Sequence, residues 1–357
     1  MRFRERERER QAALRAELYT GAAACDGQYP PSKRPTSRRN FCIHEDHSAE
    51  NLWRGIRDEA IAYFRARGIE WHAGLPPGKR SRHEPARSLP SNHLCCSQCS
   101  CVNALFPLRH HPGALTKVLA AVLEPQGLRI TEVLRFELDD LPGSPAGYVA
   151  FEWIGRKNYL RETSYGRVAA DDERDRGKGF TSADFAVRVR LASGATGLLL
   201  GEWKYTERYA SKSIRYSDSG TDRLEIYRPA LEAPWSQVAR LGNADYEDLF
   251  FDPFDQIMRL QLLAGEIEHA GAMGDPEMGA TFACVLHVAP VANVDLMKRV
   301  TSARLAGRGD DVHQVWRSIA SDDRFFGIES GALLHALAAH APDADWGKYL
   351  VRRYVTS

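Results

Sequence analysis

The sequence predicts an α/β core with helical flanks at both ends. Three observations carry this. Two apolar runs, "SADFAVRVRLA" (182–192) and "TGLLLGEWKYTE" (196–207), lie either side of a three-residue link and read as a hairpin. A helical stretch, "DPFDQIMRLQLLAGEIEHA" (252–270), follows them. A buried strand, "ATFACVLHVAP" (280–290), comes next. Strands and helices that alternate in this way must pack in layers around a shared core.

Each element has its own local reason. Residues 1–20 alternate Arg and Glu before "QAALRAELY", the pattern of a solvated helix with i,i+4 charge pairs. A nucleic-acid arm is the weaker reading there, because the Glu residues cancel the Arg residues. Residues 21–48 are rich in Gly, Pro, Ser and Arg and predict mostly loop. Leu52, Ile56, Ala60 and Phe64 give 49–68 a helical period. Residues 73–90 form a Pro-rich basic connection. Ser91 then follows Pro90 as a candidate N-cap for a helix running to Phe106. "GALTKVLAAVLE" (113–124) is another helix, and 129–138 and 147–155 read as strands. Asp252 is a candidate N-cap for the 252–270 helix, with Pro253 at the first helical position. The remainder is helical. The domain reading is an extension over 1–75, a core over 76–292, and a C-terminal helical extension over 293–357.

The chemistry concentrates in the hairpin. Glu202 and Lys204 are two apart, so they share a face with Leu198 and Leu200. Charges on a core-facing strand are rare unless they pair or hold a metal. With "SGA" (193–195) as the loop, Ala192 pairs with Thr196 and Asp184 lies opposite Lys204. Asp184 and Glu202 are then diagonal neighbours on one face, within reach of a shared ion. Two carboxylates suit a hard cation such as Mg²⁺, which polarises a phosphate and activates water. Lys204 can orient that water or stabilise developing charge. The reaction class is metal-assisted phosphodiester hydrolysis. The alternative is a surface salt bridge between Lys204 and Asp184 on an exposed sheet face.

The stretch "TSADFAVRVRLASGATGLLLGEWKYTE" resembles the signature of the PD-(D/E)XK nuclease superfamily, where an Asp opens one strand and Glu-x-Lys lies on the next. The proline of that signature is absent, since Ser182 and Ala183 precede Asp184. "SNHLCCSQCSCVNALFPL", "FEWIGRKNYL" and "DPFDQIMRLQLLA" extend the likeness to a bacterial, restriction-endonuclease-like branch over about residues 91–265. The resemblance implies a restriction-endonuclease-like core of helix, three or more mixed or antiparallel strands, helix and strand. It implies an Mg²⁺-dependent endodeoxyribonuclease, with Mn²⁺ able to substitute. Asp184 and Glu202 would be metal ligands and Lys204 the catalytic lysine. For the further acid that many members use, Glu152 is the first candidate and Glu162 the second. Gln256 and Arg259, on the 252–270 helix, and Asn92 and Gln98, on the first core helix, are candidate supporting or phosphate-binding residues. Lys212 and Arg215 are further candidates for backbone contact. The implied partner is double-stranded DNA. A homodimer would account for double-strand cleavage, although no interface signal is visible.

Other classes fit less well. Lys and Arg total 48 against 47 Asp and Glu, which leaves room for a local basic stripe opposite an acidic site. No apolar run is long enough to span a bilayer, and "MRFRERERER" lacks the apolar core of a signal peptide. A cytoplasmic protein with reduced cysteines is expected. The cluster "CCSQCSC" (95–101) raises a zinc or iron–sulfur module, with Cys95 and Cys99 at i,i+4 and Cys42, His44 and His47 as further ligands. Close packing of small side chains is the favoured reading, because the cysteines spread around the helix. No G-x-S-x-G elbow or phosphate-cradling Gly-rich loop occurs. A catalytically inactive nuclease-fold protein that binds DNA or serves assembly is the remaining alternative; Asp184, Glu202 and Lys204 together argue against it.

Overall fold

A computed structural model gives the fold. It describes all residues except 30–37, 75–86, 137–146, 165, 175, 177–179, 210, 219, 322 and 356–357. Most of the Pro-rich connection at 73–90 and the end of the strand expected at 129–138 lie outside the described residues.

The chain is α/β, with a mixed six-stranded sheet and flanking helices. The helices are α1 (Phe3–Leu18), α2 (Arg57–Ala66), α3 (Ser97–Leu105), α4 (Pro112–Leu123), α5 (Arg223–Leu231), α6 (Phe254–Ala272), α7 (Val294–Met297), α8 (Val312–Arg317), α9 (Ser330–Ala339) and α10 (Ala344–Tyr354). Short ladders join β1 (Gly27–Gln28) to β2 (Arg38–Arg39) and β5 (Thr163–Ser164) to β6 (Arg167–Val168). The main sheet contains β3 (Ile130–Leu134), β4 (Ala150–Trp153), β7 (Ala183–Leu191), β8 (Thr196–Trp203), β9 (Phe282–Ala289) and β10 (Phe325–Glu329). Its order is β10-β9-β8-β7-β3, and β4 also pairs with β7. The pairs around β7 are antiparallel, while β8, β9 and β10 run parallel.

Helices cover both faces of the sheet, which is why β8 is buried along its whole length and reads as a nearly continuous apolar run. On one side, Val187, Val189, Leu199 and Leu286 pack with α2, α3, α4, α9 and α10. On the other, Ala186, Leu198, Leu200 and Val285 pack with α5, α6 and α8. Helix α4 shows the cause locally: Leu115, Val118, Leu119 and Leu123 recur at helical spacing and are all buried.

Several boundaries differ from expectation. Helix α3 starts at Ser97, with Cys96 as its N-cap, and not after Ser91. The Ser91 hydroxyl instead accepts the His93 N–H at 3.2 Å, and the backbone of 41–43 pairs with that of 92–94. Those contacts compete with helix for the same backbone groups. Helix α6 begins at Phe254, with Pro253 at its N-cap in place of Asp252. The 49–68 stretch divides into a 3₁₀ turn, Glu45–Asn51, and α2.

The hairpin loop is three residues long, as expected, but uses Ala192, Ser193 and Gly194. Leu191 N–H donates to Ala195 O at 2.9 Å. Gly194 takes φ +86°, a left-handed conformation that glycine supplies without steric cost. The register is thus two residues from the expected one. A shift of two preserves the faces, whereas a shift of one would have reversed them.

Gly201, one residue before Glu202, is needed for close approach. A Cβ there would lie 2.1 Å from Phe185 Cε1 across the strand pair. We predict that Gly201→Ala lowers unfolding free energy by about 1–3 kcal/mol through overpacking. Adding Phe185→Leu should recover part of that loss in urea denaturation. A Gly201→Ala protein as stable as the parent would contradict this packing.

Candidate active site

The observed register aligns three acids. β7 meets β8 through Phe185 opposite Gly201, so the next step sets Asp184 against Glu202. β4 meets β7 through Phe151 opposite Phe185 and Trp153 opposite Ala183, which sets Glu152 against Asp184. Glu152, Asp184 and Glu202 therefore form one row across three adjacent strands. Asp184 and Glu202 share a face as expected, but directly opposite each other rather than diagonally. The Asp184–Lys204 pairing gives way to a Lys204–Glu202 ion pair.

Glu152 departs from strand geometry to join the row. Its φ is +47°, a strained conformation for a residue with a Cβ. Strain of this kind costs about 1–3 kcal/mol and clusters at functional sites. The twist also turns Trp153 onto the same side of the sheet as Ala150. The Glu152 carboxylate accepts from Gln98 Nε2 at 2.7 Å and from Ser182 Oγ at 3.2 Å. Gln98 Oε1 in turn accepts the His72 N–H at 2.6 Å.

The row opens into a cavity of about 630 Å³ at the C-terminal end of β8, between the first turns of α3 and α6. Asp184 is partly exposed there. Its Oδ2 accepts the Trp203 N–H at 2.7 Å. Glu202 and Lys204 are buried, and Lys204 Nζ donates to Glu202 Oε1 at 2.5 Å and to Gln256 Oε1 at 2.6 Å. Tyr209 OH also donates to Gln256 Oε1, at 3.1 Å.

Electrostatics follow from three carboxylates facing one ammonium. Burial, opposed by the Gln98 and Ser182 hydrogen bonds and reinforced by the Glu202 charge, pushes the Glu152 carboxyl up to about 7. Asp184 is also held well above the carboxylate range, by desolvation first and then by the Glu202 and Glu152 charges. For Lys204, burial disfavours the ammonium, but the charges around it, Glu202 foremost, outweigh that and raise its pKa.

The cavity brings together Asp184, Glu202, Lys204, Glu152, Gln98, Gln256 and Arg259. Arg259 pairs with Asp255 at 3.0 Å. Asn92 stands apart: its Nδ2 donates to Gln28 O and Ile43 O and fixes the N-terminal segment. Glu162 lies behind the wall, accepting from Thr181 N–H, Thr181 Oγ1 and Tyr227 OH, and so braces the approach to Asp184. Arg215 is engaged by Asp222 and Glu247, and Lys212 is exposed elsewhere. Cys95, Cys96, Cys99 and Cys101 are buried, with Cys95 and Cys96 ahead of the first helical residue. Cys42 is buried too, whereas His44 caps its own 3₁₀ turn and His47 pairs with Glu50. Among the described residues, no three His, Cys, Asp or Glu side chains stand already gathered around a single point. Ser182 and Tyr209 were not singled out from the sequence, because lone hydroxyls in loops carry no pattern.

A family described as restriction endonuclease associating with ARP matches residues 13–355. The chain belongs to this REase-ARP family. It is therefore placed in a restriction-endonuclease-like nuclease family across nearly its whole length. No curated protein and no solved structure matches it. Among the described residues, no helix is long and apolar enough to cross a membrane.

The Glu152 shift gives a stability prediction. Its folded pKa, about 7, exceeds the ordinary 4.5. Folding therefore favours the protonated form, so the group's contribution is complete below 4.5 and lost as pH rises through about 7. Denaturation of metal-free protein at about pH 5 and about pH 8 should show the parent losing about 2–3 kcal/mol more than Glu152→Gln. Parallel losses in both proteins would contradict the assignment.

Proposed function

We propose that the protein is an Mg²⁺-dependent nuclease that hydrolyses phosphodiester bonds of duplex DNA, with Mn²⁺ able to substitute. The observation that carries this reading is the row Glu152–Asp184–Glu202 with Lys204 beside it at the floor of an open cavity. The residues fit a hard divalent cation. All the acidic donors are carboxylate oxygens, and one ammonium leaves the row short of positive charge. Asp184 and Glu202 would hold the ion, with Glu152 as the third acid. When bound, the metal supplies positive charge that polarises the phosphate and eases deprotonation of water.

The chain's own groups do the rest. Lys204, fixed by Gln256, carries a permanent positive charge to the phosphate oxygens as negative charge develops there. Gln98 and Ser182 hold Glu152 in the row. Trp203 N–H fixes the orientation of Asp184. Arg259, on the cavity wall and paired with Asp255, would meet a neighbouring phosphate. The family membership supports nuclease activity.

Plasmid cleavage with and without Mg²⁺ tests the reading. The parent should nick or linearise DNA only with the metal, and Asp184→Ala and Lys204→Ala should each lose at least about 100-fold in rate. Equal activity in parent and variants would remove the mechanism. Absence of cleavage on any DNA or RNA would favour a catalytically inactive, DNA-binding or assembly role.

A further inference from the structure

The active cavity does not end at the catalytic row. A second cavity of about 290 Å³ shares His72, Ser97 and Glu207 with it, so the two form one groove. The far part is lined by Arg4 and Arg8 of α1. This changes the meaning of the "RFRERERER" repeat. In composition its Arg and Glu residues cancel; in the helix they are sorted by face. Phe3, Glu7 and Gln11 turn inward at i, i+4 and i+8. The Glu7 charge is engaged by Arg10 and by Tyr205 OH, just beyond β8. Glu5 and Glu9 are exposed and line neither cavity. Arg4 and Arg8, one turn apart, are left facing the groove.

Neither of these arginines has an acidic side chain in an ion pair with it among the described residues. Arg4 is anchored through Nε to Thr206 O at 2.9 Å, two residues after Lys204, and lines the cavity there. Arg8 rests over the Phe41 ring at 4.4 Å, and its buried Nε lacks a hydrogen-bond partner among the described residues. The neighbouring histidines add no charge. Burial pushes His93 down to about 3, with Arg8 and Arg4 contributing, and burial also lowers His72. Among the described residues Glu207 is the one carboxylate in this part of the groove, and it already accepts the Tyr205 N–H at 2.6 Å.

We propose that Arg4 and Arg8 form a phosphate clamp that grips the DNA backbone beside the scissile phosphate, so that the N-terminal helix is part of the substrate-binding surface. The inference takes its substrate from the nuclease reading above. Two guanidiniums without carboxylate partners, continuous with an acidic catalytic floor, match a phosphate chain whose one reacting group must sit on the floor while its neighbours lie beyond it. The clamp lies ahead of residue 13, where the family match begins.

The test measures binding of a short labelled DNA duplex by fluorescence anisotropy across a salt series, in an Asp184→Ala background that holds cleavage off. Arg4→Ala/Arg8→Ala should weaken binding at least about tenfold and reduce the log Kd against log salt slope by about 1.8. Arg8→Ala alone, which leaves the Arg4 anchor to Thr206 intact, should give about half that slope change. Arg4→Lys/Arg8→Lys should restore most of the slope. Arg6→Ala, which removes the same charge from the other side of the helix, should leave both quantities unchanged. Thermal melts separate lost folding from lost contact. Affinity and slope untouched by the double and the single variant would overturn the clamp, even if the parent cuts DNA. Arginine-dependent binding by a parent protein that never cuts would uphold the clamp and sink the catalytic reading.

Discussion

Three carboxylates set side by side in a sheet repel one another, and the rest of the site is arranged around that repulsion. Glu152, Asp184 and Glu202 occupy adjacent strands at one level. Each is held by a different donor: Gln98 and Ser182 for Glu152, the Trp203 N–H for Asp184, and the Lys204 ammonium for Glu202. Neutral hydrogen bonds orient carboxylates without removing their charge, so the upward pKa shifts of Glu152 and Asp184 persist. A row of acids with one cation is poorly made as a stability device, since buried charge is costly unless compensated. A bound divalent ion, as proposed, would offset that cost.

The fold exists to impose that row. A three-residue loop closed by Gly194 fixes the β7–β8 register, and Gly201 lets Phe185 pack across the pair immediately before Glu202. The positive φ of Glu152 brings in the third acid from a strand edge. The flanking helices are tied to the same point. Glu7 and Gln11 of α1 bond the Tyr205 hydroxyl, one residue after Lys204. Gln11 also bonds the carbonyl of Arg353 in α10. Helices α1 and α10 thus meet just beyond the C-terminal end of β8.

Much of this was legible in the sequence, and the reasons are physical. The strand at 183–191 announces itself through a period of two and the one at 196–203 through a continuous apolar run, and Glu202 and Lys204 stand out because charge rarely follows Leu198–Leu200 on a buried face. The parity of the hairpin was readable from its loop length; which three residues form the loop was not, because Ala-Ser-Gly and Ser-Gly-Ala both contain a turn-forming glycine. Ser91 looked like an N-cap because it precedes a helical period, yet the backbone pairing of 41–43 with 92–94 is a long-range contact that no local pattern reveals. Asn92 was drawn toward the site by that same misplacement of the helix start. The cysteines attracted attention by density alone, while the sorting of Arg and Glu around α1 needed the docked face of the helix to be known.

The central claim is that the acidic row is a single divalent-cation site. Titration of Mn²⁺ into the protein, followed by electron paramagnetic resonance of the free ion, measures it without reference to catalysis. The account predicts saturable binding at one site, competed by Mg²⁺ and abolished in Asp184→Asn. Binding that survives that substitution unchanged, or no binding in the parent protein, would contradict it.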